Sequence, residues 1–223
     1  MSSINQLVSE IAHSVGQVDS VPARQAIRLS IIHARNELIR KSYSNHHFTD
    51  KVLKQRFRIS IKDVPDGDLN NTNIELVRGI KRTTNKVPRP TRIDNGIPFH
   101  SVRTVGVINP INIPFIGEGA AVFYKHLPGM ENTPSYDYIN EYIYINNLNE
   151  VTTSIIVEGV FEYPHIIPVE TNEDTEVVVN VNDDDEFLLP EDMIESIKKM
   201  VLETFNVQIF REGNEVRNSN LVK

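Results

Sequence analysis

The residues best suited to chemistry in this chain are two acidic stretches whose oxygen-bearing side chains alternate along the sequence. Asp66 to Asn70 is the first stretch and Asn180 to Asp184 is the second. Calcium loops place oxygen ligands at alternate positions, a glycine at the sixth position and a glutamate at the twelfth. Both stretches lack that glycine, and the first also lacks the glutamate. Solvated turns are therefore the favoured interpretation of both stretches.

Histidine chemistry has equally little support. The only adjacent pair, His46 and His47, follows a serine- and asparagine-containing stretch, and metal sites normally draw ligands from more than one segment. We interpret the pair as an exposed turn. Phosphate-loop, dinucleotide, hydrolase and zincin motifs are all missing from the sequence. The sequence therefore predicts no catalytic residue, no metal and no cofactor. An enzyme would instead show a cleft with converging carboxylates and a histidine of perturbed pKa.

The composition predicts a globular protein. The 223 residues are 39% hydrophobic and 24% charged, which suits one or two domains with a sizeable core. No apolar run approaches the roughly 20 residues that span a bilayer, and no signal peptide is recognisable. Cysteine is absent, as suits a protein made in a reducing cytoplasm. We expect a soluble protein that is not secreted and has no membrane partner.

Charge is distributed unevenly along the chain. The net charge of −7 argues against a general nucleic-acid binder. Residues 170–186 contain eight acidic residues and no basic one, whereas residues 78–103 carry seven cations against Asp94 alone. Such a chain is suited to pairing with a copy of itself, because head-to-tail contacts in rings join different patches.

Apolar spacing predicts two helices at the start of the chain, over residues 4–15 and 21–42, with Ser20 as the N-cap of the second. Thr49 is expected to cap a third, short helix. Residues 57–62 alternate in the manner of a strand.

Short β-like runs separated by proline, glycine and asparagine follow, up to about residue 168. Asn146 to Asn149 suits a hairpin connection between the last two runs. Prolines confine the neighbouring strands to edges or long loops. We expect an antiparallel β-sandwich or barrel. The candidate strands are residues 74–80, 99–108, 120–126, 141–146 and 153–162.

Proline at the first helical position marks the start of a last helix over residues 190–205. Its apolar face needs a partner, and the N-terminal helices can supply it. The sequence therefore predicts an α+β fold in which N-terminal and C-terminal helices pack together around an inserted β block. The predicted parts are a helical domain of residues 1–56 and 187–210, a β-rich insertion of residues 57–168, an acidic arm of residues 169–186 and a C-terminal tail of residues 211–223.

Five segments in a fixed order carry a family resemblance. They are Arg24 to Lys41, Lys86 to Pro90, Tyr138 to Ile145, Val157 to Glu162 and Asp185 to Ile194. In this order they resemble the head-to-tail connector proteins of short-tailed bacteriophages, in particular the ring or adaptor proteins of crAss-like phages. None of the segments is a catalytic signature, so the resemblance rests on their order.

The resemblance implies a structural virion protein, made in the host cytoplasm, that assembles as a homo-oligomeric ring of twelve copies below the portal protein. Such a ring extends the DNA channel and docks other tail or ring proteins. DNA would pass through it without sequence-specific binding, and the acidic balance suits a channel wall that repels phosphates. The helices would brace the ring while the β block projects outward.

The two charged regions suggest where subunits meet. We expect the basic loops near Lys86, Arg89 and Arg92 to contact the acidic arm of residues 173–186 of an adjacent subunit. The acidic residues expected at this interface are Asp183, Asp184 and Asp185. The alternative is a β-rich binding module of a tail fibre or attachment structure. Four tyrosines discriminate between these functions, because one open aromatic patch would favour the binding module and burial would favour the connector. They are Tyr136, Tyr138, Tyr142 and Tyr144.

Overall fold

The chain divides into two compact units in a computed structural model. The helical unit comprises residues 1–53 and 181–223, and the β unit comprises residues 54–180. The residues that the structure describes are 3–46, 49–64, 80–91, 96–105, 110–117, 127–129, 133–149, 151–164, 169–171, 175–177, 184 and 187–219.

Two N-terminal helices confirm the sequence prediction. Helix α1 spans Ile4–Val15 and ends at Gly16, whose φ of 72° is the left-handed conformation that glycine adopts without strain. Helix α2 spans Val21–His46, four residues beyond the predicted end. The Ser20 hydroxyl accepts a hydrogen bond from the backbone N–H of Ala23 at 3.4 Å, as expected of its N-cap.

The short helix expected after Thr49 is a single 3₁₀ turn, Lys51–Leu53. Asp50 caps this turn in place of Thr49, because its carboxylate accepts the backbone N–H of Val52 at 3.1 Å. The buried side chain of Leu53 anchors the turn to the helical unit.

The last helix, α3, spans Glu191–Ser219 and is much longer than the predicted residues 190–205. It starts one residue after Pro190, whose carbonyl accepts the backbone N–H of Met193 at 3.0 Å. No proline follows residue 190 to interrupt the helix, and Gly213 inside a helix costs only about 1 kcal/mol. The helix therefore continues into residues that the sequence analysis assigned to a tail.

The three helices pack on one another, so the N-terminal and C-terminal parts of the chain share one core. Each contributes an apolar face at helical spacing. The buried residues include Leu7, Ile11, Ile27, Ile31, Ile39, Ile197 and Val201. This confirms the expectation that the last helix finds its partner in the first two.

The β unit contains a six-stranded antiparallel sheet that curls as a half-barrel. Its strand order is β3-β6-β1-β2-β5-β4. The strands are β1 Gln55–Asp63, β2 Lys81–Thr83, β3 Ser101–Thr104, β4 Ser135–Ile139, β5 Tyr142–Asn146 and β6 Ser154–Gly159. A separate antiparallel pair consists of β7, Val169–Thr171, and β8, Thr175–Val177. The α+β class with an inserted antiparallel block is thereby confirmed.

One side of the curled sheet forms the core of the β unit. Alternate residues of each strand point to this side, as the two-residue period of a strand requires. Phe99 packs edge-on against Tyr138 and at a tilt against Phe161, with ring centroids 5.0 and 6.2 Å apart. The fully buried aliphatic side chains are Val102, Ile143, Ile145, Ile155 and Val157.

The predicted hairpin at Asn146 to Asn149 is wrong. β5 pairs with β2 and β4, whereas β6 pairs with β1 and β3, so the connection crosses from one part of the sheet to another. The nine-residue β1 and the short β2 lie between the two strands, which the local sequence cannot reveal. The actual hairpin joins β4 to β5 and turns at Asn140 and Glu141.

The other strand predictions have mixed outcomes. Residues 57–62, 141–146 and 153–162 correspond to β1, β5 and β6. Residues 99–108 contain the four-residue β3, while residues 120–126 and all but the last of residues 74–80 lie outside the described residues. Strands β2 and β4 lie outside the strands predicted from the sequence.

Candidate assembly surface

A buried arginine links α2 to the segment that leads into α3. The side chain of Arg35 is fully buried, and its Nε donates a hydrogen bond to the carbonyl of Leu188 at 3.3 Å. Its guanidinium also lies 5.8 Å from the ring centroid of Phe187 and donates to the Asn36 side chain at 3.2 Å. Burial lowers the pKa of Arg35 to about 10, which still leaves it charged at neutral pH. This junction therefore holds the start of α3 against α2.

Residues 86–91 cross the β unit as an extended segment, which we call the strap. The backbone N–H of Val87 donates to the carbonyl of Glu141 at 2.7 Å. At the other end, the backbone N–H of Thr91 donates to the carbonyl of Val160 at 2.7 Å, and that of Glu162 donates to the carbonyl of Arg89 at 2.9 Å. The strap thus joins the β4–β5 turn to the residues that follow β6.

Glu141 pairs with both cations of the strap. Its carboxylate lies 3.0 Å from Nζ of Lys86 and 2.7 Å from Nε of Arg89. These hydrogen bonds, from Lys86 first and then from Arg89, lower the pKa of Glu141 below its usual range. The Lys86 and Arg89 side chains remain 62% and 68% exposed. Two cations share this carboxylate, and the negative charge of Glu162 also acts on Arg89.

The backbone at this point is left-handed. Asn140 and Glu141 have φ values of 53° and 69°, as the two central residues of a type I′ hairpin turn require. Asparagine tolerates this conformation, but glutamate does so at a cost of roughly 1 to 2 kcal/mol. Glycine is the residue that this turn prefers at the Glu141 position. The backbone conformation at this position favours glycine, which could not pair with the strap. Glu141 instead supplies a carboxylate to the strap, at the cost of backbone strain.

The predicted interface residues lie in both units. Lys86 and Arg89 lie together on the strap, beside Glu141. Asp184 lies in the helical unit, where its exposed carboxylate accepts a hydrogen bond from the side-chain amide of Asn5 at 2.8 Å. The other three predicted residues, Arg92, Asp183 and Asp185, lie outside the described residues.

Sequence reasoning missed Glu141 and Arg35 as organising residues. The signal for Glu141 was a two-residue Asn-Glu step between two alternating runs, Tyr136 to Tyr138 and Tyr142 to Tyr144. The signal for Arg35 was a single cation on the apolar stripe of α2. Such a cation is distinguishable from a surface residue only when the neighbouring elements are known.

The four tyrosines do not form one open patch. Tyr136 and Tyr144 are 2% and 7% exposed, and Tyr138 and Tyr142 are partly buried. Tyr138 lies on the core side and donates its hydroxyl to the carbonyl of Val87 at 3.1 Å. Tyr142 instead lies beneath the guanidinium of Arg82, 4.6 Å from its ring centroid. The open aromatic patch that would favour a binding module is therefore not formed by these four residues.

Among the described residues, no three histidine or acidic side chains converge to hold a metal ion. His46 ends α2, while His47 and the acidic stretch at residues 66–70 lie outside the described residues. Within the described part of the chain, none of the helices is long and apolar enough to cross a membrane.

The described residues thus form an α+β protein of two units with a charged strap on its β unit. Comparison with protein families gives its class: the chain belongs to the crAss-like phage family described as phage tail ring protein 2, whose model matches residues 6–220. The resemblance found in the sequence is thereby confirmed. The family description indicates a structural component of the virion tail and points away from an enzyme. No curated protein matches the chain.

Proposed function

We propose that this protein forms a ring of twelve copies in the head-to-tail connector, below the portal protein. There it extends the DNA channel and docks other tail or ring proteins. The observation that carries the proposal is the ring-family match over residues 6–220. The unequal charge distribution supports it, because a head-to-tail ring needs two different complementary surfaces on each subunit.

The net charge of −7 suits a channel through which DNA passes without being gripped. Carboxylates and phosphates repel each other, so an acidic wall lowers friction and gives no sequence-specific binding. In this proposal the helical domain braces the ring and the β insertion projects outward. The protein is made in the host cytoplasm and becomes part of the virion tail.

We further propose that Lys86, Arg89 and Arg92 contact the acidic residues 183–185 of an adjacent subunit. Support comes from the strap, where the Lys86 and Arg89 side chains remain 62% and 68% exposed and so stay accessible to a neighbouring carboxylate. Replacing Asp183, Asp184 and Asp185 by lysine is expected to prevent ring formation. Normal rings in that variant would contradict this contact.

The ring itself is tested with the purified protein, alone and mixed with a portal complex, by light scattering and negative-stain microscopy. We expect particles with twelve-fold symmetry in at least the mixed sample. A monomer of about the 25.4 kDa chain mass that ignores the portal complex would refute the connector role.

A further inference from the structure

A cavity of about 160 Å³ lies in the helical unit, lined by the end of α2, the 3₁₀ turn and the start of α3. A cavity of about 150 Å³ in another protein admits a molecule the size of benzene. The cavity in the helical unit therefore has room for the end of a side chain. Its described lining residues divide into an apolar floor and an acidic rim.

The floor of the cavity consists of apolar side chains that are largely withdrawn from solvent. Ile39 and Leu53 are each 2% exposed, and Met193 is partly buried. Methylene groups placed against such a surface leave water, which favours binding. A bare ion would leave the floor uncovered. The floor therefore favours an organic ligand with an apolar part.

The rim of the cavity carries two exposed carboxylates, those of Asp50 and Asp192. Asp50 uses one oxygen to accept the backbone N–H of Val52, whereas Asp192 makes no hydrogen bond or ion pair with the part of the chain that the structure describes. None of the described lining residues is a cation. The positive end of the α3 dipole lies here, but it amounts to about half a charge against two carboxylates. The rim therefore favours a cationic ligand.

A lysine side chain satisfies both parts of the cavity. Its methylene stem covers apolar surface while its ammonium group turns to a polar edge, as lysine side chains do elsewhere on protein surfaces. The compact ammonium group also suits a small cavity better than the planar guanidinium of arginine does. The chemistry of the cavity thus points to lysine, and in a head-to-tail contact this lysine comes from a different surface of the neighbouring chain.

Lys86 on the strap has the properties that this cavity requires of a lysine. Its side chain is 62% exposed, and the Val87 backbone that follows it is held by the hydrogen bond to the Glu141 carbonyl. Pro88 restricts the backbone further, so little conformational entropy is left to lose on binding. Lys86 pairs with the Glu141 carboxylate, but Arg89 lies 2.7 Å from the same carboxylate and stays there. Lys86 can therefore move to another carboxylate without leaving Glu141 unpaired.

We propose that Lys86 of a second copy of this chain lies in the cavity, with its stem against the floor and its ammonium group on Asp192. The proposal rests on the ring proposed above and names the point at which the strap meets the helical unit of the adjacent subunit. A second copy is the occupant because the chain belongs to a ring-protein family, and a head-to-tail ring joins different surfaces of its copies. The cavity is also continuous in sequence with the contact proposed above, since Pro190, which lines it, follows residues 183–185 closely.

Cross-linking tests the contact directly, because the chain contains no cysteine of its own. Ser42→Cys places a thiol in the cavity lining of one protein, and Asn85→Cys places another beside Lys86 in a second protein. The two proteins are mixed with the portal complex and treated with a short thiol-reactive cross-linker. We expect a covalent dimer of the two proteins on a denaturing gel. In the control, Asp63→Cys beside the exposed Lys62 of β1 replaces Asn85→Cys, and the dimer should be lost.

Charge exchange tests the same contact through ring formation, measured by sedimentation with the portal complex present. Lys86→Glu and Asp192→Lys each bring like charges together, and we expect roughly tenfold weaker association for either variant alone. An equal mixture of the two should form rings again, because alternating subunits then bring opposite charges together at every contact. The controls Lys62→Glu and Glu191→Lys make the same charge changes at exposed positions outside the proposed contact and should stay within about twofold of the wild type. Glu191→Lys also matches the cost of a lysine in the first turn of α3.

Other outcomes overturn the inference in distinguishable ways. A dimer yield no higher than that of the control would refute the contact while leaving the proposed function intact, and this result stands even if a charge variant unfolds. Cross-links that form only when both cysteines share one chain would assign the contact to a single subunit. Loss of rings in Asp192→Lys together with normal rings in Lys86→Glu would assign the cavity to a different lysine. Absence of rings in the wild type would refute the proposed function itself.

Discussion

In each unit of this protein one charged side chain holds a connecting segment in place, but the two side chains lie in opposite environments. The segments are the residues that lead into α3 and the strap. The helical unit uses Arg35, which is fully buried against Phe187 and the Leu188 carbonyl. The β unit uses Glu141, which is 28% exposed and pairs with two strap cations at the surface. A buried group contributes packing as well as charge, whereas an exposed pair gains little free energy because water screens it.

This difference separates stability from recognition. The Arg35 junction turns inward and offers no charge to a partner, so its effect is on the stability of the helical unit. The strap keeps its cations in solvent, where they remain accessible to an acidic neighbour. We therefore expect substitutions at the two positions to change different measurements.

The largest expected effect is that of Arg35→Ala. The substitution removes a fully buried side chain and its hydrogen bond to Leu188, and we expect it to lower the free energy of unfolding by about 3 kcal/mol. Urea unfolding followed by circular dichroism measures this loss. Lys41→Ala, an exposed change on the same helix, is the control and should stay within about 0.5 kcal/mol. A loss below about 1 kcal/mol for Arg35→Ala would show that the junction does not hold α3.

Arg35→Met separates packing from charge at the same position. Methionine fills much of the same volume without placing a charge in the interior, so we expect a smaller loss of about 1 to 2 kcal/mol. The same urea titration gives the difference from the alanine variant. Equal losses for methionine and alanine would mean that the hydrogen bond to the Leu188 carbonyl dominates over packing.

The two units also differ in how well their elements and charged sites are predicted by the sequence. Periodicity located α1, α2 and the start of α3, because a long apolar stripe is a local property of the chain. It did not locate β2 or the partners of β5, since three-residue strands and strand order depend on distant pairing. Lys86 and Arg89 were recognised as a charged site, but Glu141 was not, because its role depends on a turn that returns to the strap.

Glu141→Gly and Glu141→Gln test the exposed ion pairs that Glu141 makes with Lys86 and Arg89. Glutamine removes the charge and keeps the left-handed backbone, so we expect a loss of less than about 1 kcal/mol. Glycine removes the ion pairs but relieves the backbone strain at a φ of 69°. The net change in the free energy of unfolding should therefore lie within about 0.5 kcal/mol of zero. Thermal unfolding of both variants at low salt and at 1 M salt distinguishes the contributions. A glycine variant less stable than the glutamine variant would contradict the proposed backbone strain.

The smallest expected effect is a loss of stability in acid, which compares the two units through one carboxylate each. A hydrogen bond from Lys198 lowers the pKa of Glu10 in the helical unit, and hydrogen bonds from Lys86 and Arg89 lower the pKa of Glu141 in the β unit. A carboxyl whose folded pKa lies below its unfolded value of 4.5 stabilises the fold above that pH and loses the contribution as pH falls through the folded pKa. Hydrogen exchange, compared at pH 6 and across a series of values that falls from pH 4.5, should therefore show protection in both units that weakens as the pH falls. Glu10→Gln should reduce this pH dependence in the helical unit alone and Glu141→Gln in the β unit alone. A change that spreads from either variant into the other unit would mean that the two units share one unfolding transition, and the separate roles assigned to Arg35 and Glu141 would then have to be abandoned.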